Sequence, residues 1–201
     1  FALAAGTYYV VARHGYSEAR ERVALKAGET IERVLVAPTA GLTLRTKVAG
    51  AATIVPELVS YRLQRLDITD QDPVITSAPE ARYALAAGRY RIEGRYGLLN
   101  ARVVREIELK AGQDQQLLLE HQAALLTLKL AEGGVLPGAG DAYWEIRDQR
   151  GTLVWATGQS EPRAPLLPGR YNVRVEQREK SGETTVELRS GETRAIDVAP
   201  K

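Results

Sequence analysis

The chain repeats itself, and this repeat limits what it can fold into more than any other feature. A leucine-to-tyrosine signature occurs three times, with its glycines 82 and 81 residues apart. The three copies are Leu3-Ala4-Ala5-Gly6-Thr7-Tyr8, Leu85-Ala86-Ala87-Gly88-Arg89-Tyr90 and Leu166-Leu167-Pro168-Gly169-Arg170-Tyr171. Self-similarity at a fixed period indicates that one structural unit recurs along the chain.

A second signature follows each copy at a nearly constant distance and sets the size of the unit. It reads Lys26-Ala27-Gly28-Glu29, Lys110-Ala111-Gly112-Gln113 and Arg189-Ser190-Gly191-Glu192. These landmarks predict that residues 39–121 and 122–201 are two complete units and that residues 1–38 are the C-terminal half of another. Half a unit supplies about three strands, which are too few to bury a core. We therefore expect residues 1–38 to be completed by an upstream segment or a separate chain, or to pack on the neighbouring unit.

Within each unit the apolar side chains recur at every second position. Tyr171, Val173 and Val175 alternate with polar residues, and Tyr90 and Ile92 do the same in the preceding unit. A period of two is the pattern of a strand that buries one face and exposes the other. No stretch sustains the helical spacing of i, i+3 and i+4, so we expect almost no helix.

About seven short strands in about 80 residues are typical of a small sandwich. For the middle unit the pattern predicts strands near 42–48, 58–66, 73–77, 82–86, 88–95, 101–110 and 114–120. The predicted fold class is therefore all-β, with tandem immunoglobulin-like antiparallel β-sandwiches. A tyrosine at a sandwich corner can fill the core and bond its hydroxyl back to nearby backbone, a role we predict for Tyr8, Tyr90 and Tyr171. Trp144 and Ile146 occupy the place of Tyr61 and Leu63, and we predict that they are core residues.

Composition excludes several classes of site. The 201 residues include no cysteine and only two histidines, so the sequence offers no disulfide, no thiolate metal site and no cluster of imidazoles. The net charge is +2, and acidic and basic residues alternate along the chain. This balance does not favour a nucleic-acid partner, which would gather basic charge on one face. No apolar run approaches the roughly 20 residues of a membrane helix, so we expect no direct membrane insertion. We also expect no cofactor.

Three sets of residues are candidates for a chemical site, and the sequence favours an ordinary structural role for each. Asp67, Asp70 and Asp72 could offer oxygen ligands to calcium, but they lack the glycine and distal glutamate of an EF-hand loop, so an exposed loop is favoured. His14 and His121 are predicted to lie at the surface, at a hairpin tip and in a linker. The glycine-rich segment 133–140 lacks the lysine and hydroxyl residue of a phosphate loop. We predict no catalytic residue and no metal ligand.

Two sets of side chains are candidates for binding a partner. Arginines that could form a basic stripe stand at Arg89, Arg91, Arg95, Arg102 and Arg105, interleaved with Glu93, Glu106 and Glu108 that we expect to pair with them across strands. Exposed aromatic rings suited to stacking on a sugar or a protein are candidates at Trp155, Tyr143 and Tyr9. The predicted partner-binding residues are Arg89, Arg91, Arg95 and Trp155, although a solvated strand face and core packing are the simpler interpretations.

The turn and core residues resemble bacterial extracytoplasmic immunoglobulin-like repeats. Leu3 to Tyr8, His14-Gly15-Tyr16 and Lys26-Ala27-Gly28-Glu29-Thr30 are especially similar to PEGA repeats of bacterial surface proteins. The later units lack the Gly-Tyr step and look more like carboxypeptidase-regulatory-type sandwiches. In secreted proteobacterial proteins, such repeats often follow a von Willebrand factor A-type domain. The Asp-x-Ser-x-Ser signature of that domain is absent from this sequence.

The resemblance implies a non-catalytic spacer and protein-interaction array in a periplasmic or cell-surface protein. Its partner would be another protein or an upstream domain of the same polypeptide. Two alternatives stay open. One is a carbohydrate-binding or adhesin module that uses the arginines or Trp155 on a polysaccharide, and the other is an accessory domain of a secreted hydrolase.

Overall fold

The computed structural model describes residues 1–69, 71–131 and 142–200. These residues fold almost entirely into strands, with a single 3-10 turn at Pro56–Leu58. No helix among them has the length and apolar character needed to cross a bilayer. The all-β prediction is confirmed.

The middle unit is a sandwich of two sheets. Its strands are β3 (Thr39–Val48), β4 (Val59–Arg65), β5 (Val74–Thr76), β6 (Glu80–Ala86), β7 (Gly88–Tyr96), β8 (Arg102–Leu109) and β9 (Asp114–His121). One sheet has the order β6-β3-β9 and the other the order β5-β4-β7-β8. All seven predicted strands are present, with bounds that differ from the predicted ones by a few residues.

The last unit has the same strand order. Its strands are β10 (Ala124–Leu130), β11 (Ala142–Asp148), β12 (Leu153–Thr157), β13 (Arg163–Leu166), β14 (Gly169–Gln177), β15 (Lys180–Leu188) and β16 (Thr193–Val198). They form the sheets β13-β10-β16 and β12-β11-β14-β15. The sequence period therefore corresponds to a repeated topology, in which β10 takes the place of β3 and β14 that of β7.

One strand pair in each sandwich is parallel. β9 pairs with β3, and β16 pairs with β10, so that the last strand of each unit lies beside the first. Every other named pair is antiparallel, as predicted. Side-chain alternation indicates which face is buried but not the direction of the neighbouring strand, so the sequence could not reveal this pair. The last strand of each unit has no other partner in its sheet.

Each sandwich encloses its own apolar core. Leu42, Leu44 and Ile92 are buried in the middle unit, and Trp144 and Ile146 are fully buried in the last. The prediction that Trp144 and Ile146 take the place of Tyr61 and Leu63 is confirmed by their pairing with equivalent positions of β14 and β7. Burying one large apolar side chain contributes roughly 1.5–3 kcal/mol, so these side chains dominate the stability of each unit.

The corner tyrosines bond as predicted in all three copies, but only Tyr90 and Tyr171 also fill a core, because Tyr8 stands in the incomplete unit. The hydroxyl groups of Tyr8, Tyr90 and Tyr171 donate to the carbonyl oxygens four residues earlier, at Ala4, Ala86 and Leu167, over 2.6, 2.9 and 2.9 Å. Burial raises the pKa of Tyr90 and of Tyr171, which keeps each hydroxyl protonated as a donor.

Residues 1–38 form one hairpin and an irregular segment. The hairpin consists of β1 (Gly6–His14) and β2 (Ser17–Leu25), paired from Gly6–Leu25 to His14–Ser17. About three strands were expected here, but residues 30–36 are not a strand. The equivalent strands in the complete units, β9 and β16, pair only with a first strand, and residues 1–38 contain no such strand.

Candidate binding groove between the two sandwiches

A groove of about 580 Å³ lies where the middle and last sandwiches meet. Its lining residues are Glu57, Leu58, Val59, Ser60, Tyr61, Arg62, Ile75, Ser77, Arg95, Gly97, Leu98, Leu99, Trp155, Gln159, Arg163 and Pro165. The middle sandwich supplies one wall from β4, β5 and the β7–β8 turn, and the last sandwich supplies the other from β12 and β13. The geometry of the groove therefore depends on how the two units are joined.

The β7–β8 turn forms the first contact of this junction. Gly97 has a φ of +79° and lies against Pro165 so closely that a Cβ would overlap the proline ring. Next to it, the Asn100 side chain bridges the units. Its Nδ2 donates to the Tyr171 hydroxyl over 3.2 Å, and its Oδ1 accepts from the Leu167 backbone N–H over 2.8 Å. The corner tyrosine of the last unit is thus also an anchor for the middle unit.

A second contact lies at the other end of the junction. The Ser190 hydroxyl donates to the Ala49 carbonyl oxygen over 2.8 Å. Gly191, at a φ of +81°, packs backbone to backbone against Gly50. Only Gln122 and Ala123 connect β9 to β10, and Ala123 is fully buried and accepts from the Gly191 backbone N–H over 2.7 Å. The units are therefore joined by two separate contacts and a two-residue connection.

The groove combines positive charge with exposed apolar surface. Arg62, Arg95 and Arg163 line it against one carboxylate, Glu57. Among the described residues no carboxylate lies within ion-pair distance of Arg62 or Arg163. Aromatic and arginine side chains together fit a sugar ring that carries an acidic group, because the ring stacks on the aromatic face and the anion accepts from the guanidinium.

Of the four predicted partner-binding residues, the fold brings two together. Arg95 and Trp155, which lie 60 positions apart in different units, both line the groove, and Trp155 is half-buried there. Arg89 and Arg91 lie farther along the outer face of β7, opposite Glu108 and Glu106 of β8.

Among the described residues, these arginines form none of the expected cross-strand ion pairs, although Arg89 and Arg91 lie opposite Glu108 and Glu106. The ion pair in this part of the described chain joins Arg95 to Glu93 on the same strand. Among the candidate aromatic residues, Tyr9 and Tyr143 are exposed, but neither lines the groove.

The aspartate candidates do not form a common site among the described residues. Asp67 receives two hydrogen bonds from Arg65, to Oδ1 over 2.9 Å and to Oδ2 over 3.2 Å. These bonds from Arg65 hold the pKa of Asp67 below its ordinary value. Asp70 and the glycine-rich segment 133–140 lie outside the described residues. Within the described ranges, no three His, Asp or Glu side chains are grouped so as to hold a metal ion.

One histidine prediction is confirmed and the other is wrong. His14 is exposed at the end of β1, as predicted. His121 is not a surface linker residue. It is the last residue of β9 and is fully buried, with its ring centroid 6.4 Å from that of Tyr96. The pattern could have revealed this, because Leu117, Leu119 and His121 recur at every second position and therefore share a face.

Burial of His121 predicts a pH dependence of stability. Loss of solvation lowers the pKa of His121 below 6.5, although the nearby Ala101 backbone partly offsets this effect. Near pH 6 the folded chain therefore binds fewer protons than the unfolded chain at this site. The free energy of unfolding should fall as the pH drops below about 6.5 and should be insensitive to this group above it.

The measurement is the urea midpoint at pH 7.5 and pH 5.5 for three chains. We expect His121→Leu to reduce the loss of stability on acidification, whereas His14→Gln, at the exposed hairpin tip, should keep the slope of the parent chain. Equal slopes in all three chains would contradict the assignment.

Sequence reasoning missed Arg62 and Arg163, which line the groove, and Asn100, which bridges the two units. None belongs to a repeated signature, and Asn100 follows a hairpin turn whose sequence differs between the units. The period of two places Arg62 on an outward face, but it cannot show which outward residues of two different sandwiches meet.

The comparisons with known proteins give only distant similarities. No protein-family model matches the sequence, and none of the curated proteins searched matches it either. Three of the solved structures that it resembles are described here. The Bacillus anthracis TIE protein is 16% identical, with 96% of this chain and 39% of that chain covered and a TM-score of 0.33. The minor pilin GBS52 of Streptococcus agalactiae is 14% identical over 81% of this chain and 95% of that chain, with a TM-score of 0.36.

A streptococcal ancillary pilin is 12% identical over 99% of this chain and 76% of that chain, with a TM-score of 0.40. This chain spans about two fifths of the length of the TIE protein that it matches.

Proposed function

We propose that the chain is a stiff, non-catalytic array of β-sandwich repeats that spaces and presents other parts of a bacterial envelope protein, in the periplasm or at the cell surface. In this proposal residues 39–121 and 122–201 are two whole repeats, and residues 1–38 are the C-terminal half of another. The resemblance to PEGA-like and carboxypeptidase-regulatory-type repeats supports the class, and a von Willebrand factor A-type domain upstream is the expected neighbour.

The observation that carries this proposal is the two-contact junction. A flexible tether would need neither the Asn100 bridge nor the backbone contact of Gly191 with Gly50. Each contact joins residues of the two different repeats, so together they restrict the relative orientation of the repeats. The width of the distance distribution between two labels, one on each repeat, tests the proposal. A narrow distribution supports a stiff array, and a broad one contradicts it.

The same contact geometry recurs at the first junction. Gly15, in the β1–β2 turn, lies against Ala84 of β6, and the Tyr16 backbone N–H donates to the Ala84 carbonyl oxygen over 2.8 Å. Ala84 stands one residue before the signature leucine, as Pro165 does in the last unit. A turn glycine of each unit thus docks on the same position of the next unit, which is what a regular array requires.

A second candidate function is binding of an acidic polysaccharide in the groove. The observation that favours it is the meeting of Trp155 with Arg62, Arg95 and Arg163 in one concave site. A stiff junction would hold the two walls of this groove in a constant relative position, so binding and spacing are compatible roles.

Affinity electrophoresis in gels containing polygalacturonate tests this second function. We expect Trp155→Ala and Arg62→Ala each to weaken retention about tenfold, which corresponds to about 1.4 kcal/mol. Arg91→Ala is the matched control for Arg62→Ala, since it removes one exposed arginine from the same sheet outside the groove. Equal losses for the two arginine variants would indicate general charge attraction and contradict a groove site, as would a lack of retention of the parent chain.

A further inference from the structure

The β1–β2 hairpin has the geometry of a hairpin from a complete repeat. Tyr8 pairs with Val23 across it, as Tyr90 pairs with Ile107 in the middle unit. The Tyr8 hydroxyl makes the corner hydrogen bond described above, and Gly15 makes the tip contact. The hairpin therefore already has the pairing and the docking of β7–β8.

The inner face of this hairpin is uncovered. Val10 is 39% exposed, whereas Ile92 and Val173, four residues after the signature glycine in the complete units, are fully buried. Phe1 and Leu3 stand at the positions of Tyr83 and Leu85, which are buried in the middle core, yet both are exposed. Apolar side chains that form a core in two units thus face solvent in the first.

Residues 30–36 also have no partner strand. Leu35, at the inward-facing position of this segment, is only partly buried. Leu35 follows its turn glycine by seven residues, as Leu119 and Val198 do, and those two residues are buried in the parallel strands β9 and β16. The segment therefore has the sequence of a last strand but no first strand to pair with.

A third uncovered surface lies on the middle unit. The turn glycine Gly191 packs on the Gly50 backbone of the preceding unit, but nothing lies within 4 Å of a Cβ built at the equivalent Gly112. At the junction between the middle and last units, the loop that packs on Gly191 is the one that follows β3, the first strand of the middle unit. The bare turn at Gly112 is thus the place where the loop after a preceding first strand would lie.

From these three surfaces we infer that residues 1–36 and the Gly112 turn form a strand-complementation site. Its occupant is a three-strand segment of the same class as residues 39–82, supplied from outside residues 1–201. The first strand of this segment pairs with residues 30–36 on one side and with residues 1–4 on the other. The second strand of the segment pairs with the free edge of β1, as β4 pairs with β7. The apolar face of the segment then covers Val10. This inference rests on the domain division proposed above.

A second copy of this chain does not fit as the occupant. The site needs an unpaired first strand, but β3 and β10 each lie between two partners in their sheets.

The test is a fusion that supplies the segment. A copy of residues 39–82 is placed directly before Phe1 of the full chain. This continues the register, because Phe1 then takes the place of Tyr83, directly after residue 82. A second fusion carries residues 122–163. Hydrogen exchange of the amides of residues 30–36 is measured in the fused and the unfused chains. We expect exchange about 100-fold slower in at least one fusion, because the amides enter a paired strand.

A matched pair of variants checks the face that is used. Val10 and Val11 are both 39% exposed but point to opposite faces of β1. In the protected fusion, Val10→Asp should abolish the slowed exchange and Val11→Asp should keep it.

Unprotected amides in both fusions would overturn the inference, as would equal effects of the two variants. Protection of residues 30–36 in a dimer of the unfused chain would overturn it by giving the site to a second copy. Exchange here reports on residues 1–36, whereas the labels on the two repeats report on their own junction, so the failure of one proposal is distinguishable from the failure of the other.

Discussion

Replacing Trp144 with alanine is expected to destabilise the last repeat by about 3–5 kcal/mol. Trp144 is fully buried in the core of that sandwich, and truncation would leave a cavity that the surrounding strands cannot close. A domain of about 80 residues has a total stability of roughly 4–12 kcal/mol. The substitution should therefore remove a large part of the stability of the last repeat.

Trp155→Ala is the matched control, because the sequence has only these two tryptophans. Trp155 is half-buried in the groove, so its truncation should cost clearly less than that of Trp144. Urea unfolding followed by circular dichroism measures both effects. A loss below about 1 kcal/mol for Trp144→Ala would contradict its assignment as the central core residue.

Replacing Gly191 with alanine is expected to loosen the junction between the two repeats. Gly191 and Gly112 occupy the same turn in successive units, at φ values of +81° and +76°, so an alanine at either position meets the same backbone strain of about 1–2 kcal/mol. A Cβ at Gly191 would also overlap the backbone of Gly50 and Ala51, whereas a Cβ at Gly112 meets nothing. Overpacking of this kind adds roughly 1–3 kcal/mol.

Comparing these two alanine variants separates the effect of the junction contact from the effect of backbone strain, which both variants share. Gly191→Ala should broaden the distribution of distances between labels on the two repeats, and Gly112→Ala should leave it as in the parent chain. Equal distributions in the two variants would mean that the contact between Gly191 and Gly50 does not hold the repeats together.

The repeat and the period of two were sufficient to predict the strands, the all-β class and the corner tyrosines. These features are local, because alternation identifies the buried face of a strand and a glycine at a fixed spacing identifies a turn. The burial of Trp144 followed from aligning it with Tyr61 in the preceding unit.

Features that depend on which strands become neighbours could not be predicted in this way. The parallel pairing of β9 with β3 joins the two ends of a unit, and nothing in either strand encodes the direction of its partner. Residues 30–36 have the pattern of a strand, but they form none because the pairing partner is not among residues 1–38. The groove could not be predicted for the same reason. Arg62 and Trp155 belong to different units, and only the junction between the units brings them together.

If the two repeats form one stiff unit, the distance between a label on each repeat should have a single value. The chain has no cysteine, so single spin labels can be attached at Glu108→Cys and Glu187→Cys. These exposed positions are equivalent in β8 and β15, each opposite the residue that follows the signature glycine. We expect electron–electron dipolar spectroscopy to give one narrow distance peak. A broad distribution, as two domains on a flexible tether would give, would contradict the account.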